Sequence, residues 1–245
     1  MKNNIDTAFI LAAGIGSRLY PLTKSVPKCL IDFNGQTILG CQIEALRKNG
    51  FKKVIIAIGG FAEKVEDYVL KYKNSDIEVI TEYNPFYYCS NNLVSLWSLR
   101  NYFNDGFVLL NGDIIFDSTM IDQIVNFKAD IALGCRPLKE FDDDDMKVKI
   151  VNDRVVAVSK ELRSEDVNAE SLGILKFSSA CAAKLLNLLN QMVREKDYIN
   201  AFYLQAISKM AGTETVAPCF LDGKWFEMDY QRDYEVLLKE ISNIN

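Results

Sequence analysis

Gly14, Gly16, Arg18 and Lys28 are the first residues whose types and spacing could do chemistry. Glycines one residue apart let a backbone turn tightly and present bare N–H groups to a ligand. With the two cations that follow, they would make a cradle for an anionic, phosphate-bearing molecule. The glycines alone leave a second reading open, a strand-to-loop turn with surface basic residues, because short glycine patterns recur widely. Farther along, Asp113 and Asp229 each follow a short apolar stretch. Either aspartate alone reads best as a helix cap. As a pair they are the one or two carboxylates that magnesium needs in a phosphate site beside the phosphate oxygens. The chain contains no histidine. That removes Ser-His-Asp and Cys-His catalysis and the commonest general base. It does not trouble reactions at phosphorus, since a phosphate nucleophile is already ionised at neutral pH.

These residues need elements to position them. The uncharged run Ala8 to Ala13 predicts a buried strand that delivers the glycine turn. Thr37 predicts the cap of a helix that Asn49-Gly50 stops. Val54 to Ile58, ending at Gly59-Gly60, predicts a second strand, Ala62 to Lys73 a helix, and Ile77 to Thr81 a third strand. Strand, helix, strand, helix, strand argues a doubly wound α/β fold with a mostly parallel sheet and helices on both faces. In such sheets ligands bind beyond the carboxyl ends of the strands, where the glycine loop falls.

Leu93 to Tyr102 returns to helix, and Phe107 to Leu110 predicts a strand ending in Asn111-Gly112-Asp113. Asp117 or Ser118 is expected to cap a helix to about Phe127, followed by a strand at Ile131 to Cys135. Strands at Met146 to Val151 and Arg154 to Ser159 would join at Asn152-Asp153. Leu172 to Phe177 is a further strand. Helices are expected at Ala180 to Val193 and Ile199 to Met210, strands at Val216 to Phe220 and Trp225 to Met228 closing the sheet, and a helix from Gln231 to Ile241. No repeat or linker interrupts the chain. Residues 1–245 read as one domain in two halves, to about 135 and from about 136.

Composition bounds the rest. A hydrophobic fraction of 49%, with 14 Phe and 11 Tyr, is ample for a sizeable core. A net charge of −5 gives no general attraction to nucleic acid or an anionic membrane. No uninterrupted apolar window approaches ~18 residues, and Met1 to Asn4 lead straight toward a strand with no signal peptide. The six cysteines show no C-x-x-C spacing and read as reduced thiols of a cytoplasmic protein.

The string Leu11-Ala12-Ala13-Gly14-Ile15-Gly16-Ser17-Arg18-Leu19, then Pro21-Leu22-Thr23 and Pro27-Lys28, resembles the signature of the nucleotidyltransferases that make nucleoside-diphosphate sugars and CDP-alcohols. It is not the dinucleotide fingerprint, whose third glycine would fall at Leu19. Nor is it a Walker A loop, since no Gly-Lys-Ser/Thr follows. The resemblance runs from Ile10 to about Tyr234. It implies a Rossmann-like nucleotidyltransferase fold with a nucleotide-binding half to about 135 and an acceptor-binding half from about 136, a nucleoside triphosphate wrapped by the glycine loop, and magnesium held by Asp113 and Asp229. It makes Arg18, Lys28 and Lys160 the catalytic cations, with Lys160 beside the acceptor's phosphate; from the residue alone, Lys160 reads as a solvated lysine at a strand end. Leu11, Ala12, Ala13, Gly14, Gly16, Ser17, Gly59, Ser90, Asn91, Asn92 and Asp113 are assigned to the nucleotide.

Glu170-Ser171-Leu172-Gly173 resembles a Gly-Glu-x-x-Gly element lining the acceptor pocket, with Ala169 in place of its first glycine. Asp145-Met146-Lys147-Val148 resembles members acting on amino-alcohol phosphates, although the run Asp142 to Asp145 by itself reads as a solvated loop. The segment Tyr83 to Leu96 reads either as a helix entry or as a contact surface. In the second reading Ser90 to Asn92 meet the base, and Tyr87, Tyr88 or Trp97 face a cationic amine. Its Asn-Asn-x-x-Ser-Leu pattern resembles phosphocholine and 2-aminoethylphosphonate cytidylyltransferases. The expected partners are therefore CTP and a small phosphorylated or phosphonate acceptor; a homo-oligomer is left open. A sugar-1-phosphate nucleotidyltransferase using UTP, dTTP or GTP is the alternative, and a non-catalytic nucleotide-binding regulator a third reading.

Overall fold

The computed structural model describes residues 5–137, 140 and 142–242. The expectation for Met1 to Asn4 falls outside them. Strand β1 (Thr7–Ala12) is buried on both sides: Ala8, Ile10 and Ala12 join one apolar cluster, and Phe9 and Leu11 the other. That two-sided burial is why the segment reads as an unbroken apolar run. Strands β2 (Asp32–Phe33) and β3 (Gln36–Thr37) form a small hairpin that enters helix α1 (Ile38–Lys48). Thr37 caps α1 as expected, its Oγ1 accepting the Gly40 amide at 3.0 Å. Strand β4 (Lys53–Ile58), helix α2 (Ala62–Val69), strand β5 (Glu78–Tyr83), helix α3 (Asn92–Ser98) and strand β6 (Phe107–Asn111) follow. β1, β4, β5 and β6 run parallel, in the spatial order β6-β1-β4-β5.

A short strand β7 (Ile114–Phe116), helix α4 (Thr119–Asn126) and strand β8 (Ile131–Pro137) lead into the second half. There β9 (Lys147–Val151) and β10 (Arg154–Ser159) make the expected hairpin, turning through Asn152 and Asp153, both at positive φ. Strand β11 (Ala169–Phe177), helices α5 (Ser179–Met192) and α6 (Leu204–Ala211), strands β12 (Val216–Phe220) and β13 (Trp225–Glu227) and helix α7 (Gln231–Ser242) complete the chain. Among the described residues nine strands form one mixed sheet, in which β6 is parallel to β1 and antiparallel to β11. Helices α3, α5 and α6 cover one face, and α1, α2 and α4 the other. Phe9, Phe107 and Phe177 stack through the first of these cores, with centroid separations of 4.2 and 5.1 Å. Burial of each such ring contributes about 1.5–3 kcal/mol. A third cluster, of Leu19, Ile31, Phe33, Ile38, Met228 and Leu237, fastens the glycine loop to α7.

Three expectations are corrected. Trp225 to Met228 do not close the main sheet. β13 pairs instead with β7, with Glu227 opposite Ile114, and makes a separate two-stranded ribbon. The helix expected from Ile199 starts at Leu204, because residues 199–203 are tied to the entry of α3. Asn91 N–H donates to the Ile199 carbonyl at 2.9 Å, and Asn92 Oδ1 accepts the Tyr203 amide at 2.8 Å. Neither Asp117 nor Ser118 caps α4 with its side chain; the Asp117 carboxylate accepts the Lys224 amide at 2.8 Å and so ties α4 to the approach to β13.

Candidate active site

The carboxyl ends of β1 and β6 open onto a cleft of about 270 Å³ at the seam of the two halves. β1 delivers the glycine loop. Gly16 there is left-handed at φ 68°, its carbonyl accepts the Thr23 hydroxyl at 2.8 Å, and a Cβ on it would sit 2.9 Å from Lys28 Cβ. Gly14 differs from expectation: it lies outside the left-handed region, and a Cβ there would meet no protein atom within 4 Å. Its bareness faces the cleft rather than serving the turn.

β6 delivers Asp113 through the turn Asn111-Gly112-Asp113. A Cβ on Gly112 would lie 2.4 Å from the Leu11 carbonyl, so only glycine lets this turn press against β1. The buried Gln42 of α1 fixes both ends of the turn, its Nε2 donating to the carbonyls of Asn111 at 2.7 Å and Ile114 at 2.8 Å. Ribbon β7–β13 then carries the chain back, and the Met228 amide donates to the Asp113 carbonyl at 2.9 Å. That pairing is why residues 116 positions apart in sequence meet. Asp233 receives the amides of Asp229 and Tyr230 on its carboxylate, so it is Asp233, not Asp229, that caps the start of α7.

Lys28 Nζ lies 3.0 Å from Asp113 Oδ2 and 2.5 Å from Asp229 Oδ1. Burial pushes the ammonium's pKa down, but the two carboxylates outweigh it and hold the group above the ordinary lysine range. Glu227 joins them: one ligand oxygen each of Asp113, Glu227 and Asp229 lie within 4.8 Å of one another. Burial first, then the neighbouring Asp113 and Asp229, pushes Glu227 up to about 8. Asp113 Oδ1 is shielded from solvent and has no hydrogen-bond partner among the described residues. With all three acids ionised, three negative charges face the Lys28 ammonium and, at 3.7 Å from Asp229, the Arg18 guanidinium, so a net negative charge remains. An orphaned carboxylate oxygen, that residual negative charge and an all-oxygen donor set fit a divalent cation.

Glu227 sets a pH dependence in metal-free protein. Its folded pKa exceeds that of the unfolded chain, so the folded state keeps a proton that the unfolded state loses. Stability should therefore fall as pH rises from about 4.5 toward 8 and level off above. Glu227→Gln should match wild type near pH 5 and exceed it by roughly 1–3 kcal/mol at pH 9. Thermal melts in chelator across that range check the sign; parallel curves for the two proteins would contradict it.

Of the other predicted residues, Leu11, Ala13, Gly14, Arg18, Tyr87, Ser90, Asn91, Asn92 and Lys160 line the same cleft. Ser90 to Asn92 also build its wall: Ser90 Oγ donates to the Phe86 carbonyl, and Asn91 Oδ1 caps α3. Ala12, Gly16, Ser17 and Gly59 do not line it, and Ser17 is exposed to solvent. Gly59 is buried where a Cβ would meet the Ala13 carbonyl and Tyr87 Cβ, each at 2.5 Å. Trp97 is turned away, donating to Asn190 on α5, and Tyr88 is exposed outside the cleft.

Asp145 and Glu170 line an adjoining pocket of about 340 Å³ that shares Asp229 and Glu227 with the cleft. Glu170 is buried and paired with Arg136 at 2.6 Å, while Asp145 Oδ2 accepts the Asp142 amide. The residue of the acidic run that lines the cleft is Asp144. The Tyr230 hydroxyl, then Lys160 and Arg18, holds its carboxyl below the usual range. Phe202 and Tyr203 line the opposite wall, with Tyr203 donating to Asn111 Oδ1 at 3.1 Å. No helix among the described residues is long and apolar enough to cross a membrane.

Residues 7–139 match the family model described as "Nucleotidyl transferase". The chain is 24% identical to CTP:phosphoglutamine cytidylyltransferase of Campylobacter jejuni, over 95% of this chain and 99% of that protein. It is 30% identical to the bifunctional protein GlmU of Methanococcus maripaludis over 92% of this chain, and spans about half (52%) of that relative's length. Its fold is similar to the CTP:phosphocholine cytidylyltransferase structure from Streptococcus pneumoniae, with a TM-score of 0.78 at 20% identity, over 97% of this chain and all (100%) of that one.

Proposed function

Because this chain belongs to the nucleotidyl transferase family, we propose that it is a magnesium-dependent cytidylyltransferase moving CMP from CTP to a small phosphomonoester or phosphonate, of the phosphocholine or 2-aminoethylphosphonate kind. The convergence of Lys28, Asp113 and Asp229 at the foot of the glycine-loop cleft carries this reading. In the reaction an oxygen of the acceptor's phosphate or phosphonate attacks the α-phosphorus of CTP in line. The bond from that phosphorus to the β-phosphate's bridging oxygen breaks, and pyrophosphate leaves with the electron pair. No proton need be abstracted, consistent with a chain without histidine.

The glycine loop and Arg18 hold the triphosphate, and Lys28 meets the charge that gathers at the α-phosphate as it becomes five-coordinate. Lys160 positions the acceptor. A magnesium ion held by Asp113, Asp229 and Glu227 would supply charge neutralisation at the same phosphate. The names of two similar proteins, a CTP:phosphoglutamine and a CTP:phosphocholine cytidylyltransferase, support CTP and a small phosphorylated acceptor.

Crossing CTP, UTP, dTTP and GTP with phosphocholine, 2-aminoethylphosphonate and glucose 1-phosphate tests the reading through pyrophosphate release. CTP should be preferred by at least about tenfold in kcat/KM, about 1.4 kcal/mol of discrimination, and chelator should abolish turnover. Preference for a sugar phosphate with UTP, dTTP or GTP would transfer the chain to the sugar-nucleotide branch, which likeness to a mannose-1-phosphate guanylyltransferase subunit over half of the chain keeps in view. Binding of CTP without release against any acceptor would make it a regulator.

A further inference from the structure

Arg18 and Lys160 reach the cleft from opposite sides, one from the glycine loop and the other from the residue after β10. A single carboxylate stands between them. Asp144 Oδ1 lies 3.6 Å from Arg18 Nη1 and 3.5 Å from Lys160 Nζ, and its Oδ2 accepts the Tyr230 hydroxyl. One oxygen facing two cations while a second takes a hydroxyl proton is the arrangement that a phosphate or phosphonate would adopt on the same groups. The loop is built to present it. The Asp142 amide donates to Asp145 Oδ2 at 2.7 Å and the Asp145 amide to the Asp142 carbonyl at 3.2 Å, closing the acidic run on itself with Asp144 aimed inward. Tyr230 is held in turn, with the Arg18 guanidinium 5.4 Å above its ring.

We propose that Asp144 is a resident anion where the triphosphate and acceptor sites meet, occupying Arg18 and Lys160 until an incoming phosphate or phosphonate displaces it. This rests on the cytidylyltransferase reading for the identity of the acceptor, but the displacement itself does not. The side chains of Arg18, Asp144 and Lys160 are 51%, 45% and 27% exposed, so each contact is weak and exchangeable. A dianionic phosphate gains more from two cations than a carboxylate monoanion does. Asp144 therefore acts as a threshold: a phosphate or phosphonate passes it, whereas a carboxylate or neutral group in its place does not. Until displaced, it lowers apparent affinity in proportion to the fraction of protein in which the cations are occupied.

Calorimetric titration of inorganic phosphate into the full chain, in sulfate-free buffer with chelator, tests this without turnover. Asp144→Asn should bind phosphate about tenfold more tightly than wild type, and Tyr230→Phe about two- to threefold more tightly, since it removes one of three contacts. In the assay, Asp144→Asn should lower the acceptor KM about tenfold and the CTP KM as well, because Lys160 serves the acceptor and Arg18 the triphosphate. Equal or weaker phosphate binding by Asp144→Asn would overturn the proposal and make Asp144 a brace that the cations require. Wild-type protein that releases no pyrophosphate with any acceptor would sink the cytidylyltransferase reading, while the phosphate titration still decides the role of Asp144.

Discussion

Replacing Lys28 by methionine should lower kcat/KM by about a thousandfold or more, the scale of removing a cation aimed at charge that develops on phosphorus. The same change should weaken the metal-free fold, because Asp113, Glu227 and Asp229 then face one another with no counter-charge among the described residues nearer than Arg18, 3.7 Å from Asp229. Lys28 is 13% exposed and the two aspartates about a quarter, so the loss should be near 3 kcal/mol, the lower end for a buried pair that loses one partner. Millimolar magnesium should restore much of this stability and almost none of the activity, because a metal can replace the counter-charge but not the donor at the α-phosphate. Melts with and without magnesium, beside pyrophosphate release, separate the two effects. Activity within tenfold of wild type would remove Lys28 from the mechanism.

Asp113→Asn should be equally inactive for a different reason. It preserves shape and the backbone of the Asn111-Gly112-Asp113 turn, which Gln42 and Gly112 hold independently of the carboxylate. Metal-free stability should move by no more than about 1 kcal/mol, since the attraction lost to Lys28 is offset by relieved repulsion from Glu227 and Asp229. Divalent-metal affinity should fall by at least about tenfold, and turnover by about a thousandfold. Manganese binding followed by electron paramagnetic resonance reads the first, and the pyrophosphate assay the second. Normal turnover in a folded Asp113→Asn protein would contradict the metal assignment outright.

Much of the first half was legible because its signals are local. Thr37 and Gly50 punctuate α1, and the two-sided burial of β1 leaves an apolar run that no surface strand would show. The second half was harder because its elements are set by distant partners. Trp225 to Glu227 has the composition of a sheet strand, but which strand it joins depends on Ile114 to Phe116, more than a hundred residues earlier. Residues 199–203 carry helical spacing, yet Asn91 and Asn92 capture their backbone.

The site shows the same division. Glu227 could have been found, since it ends the short strand that leads to Asp229 two residues later. Asp144 could not be told from its three acidic neighbours, because only the closure of their turn decides which points inward. Gln42 gave one faint sign, an amide within the apolar stripe of a helix.

One strand, β6, bonds to the first half of the chain along β1 and to the second half along β11. The two halves are thus welded along a shared spine and cannot be inherited as separable cassettes. On the proposed activity, descendants would acquire new acceptors most cheaply at the rim, by rewriting the turn that bears Asp144 or the bend after β10. Diversity would then collect in a few edge loops, while the machinery that acts on phosphorus passes down nearly untouched.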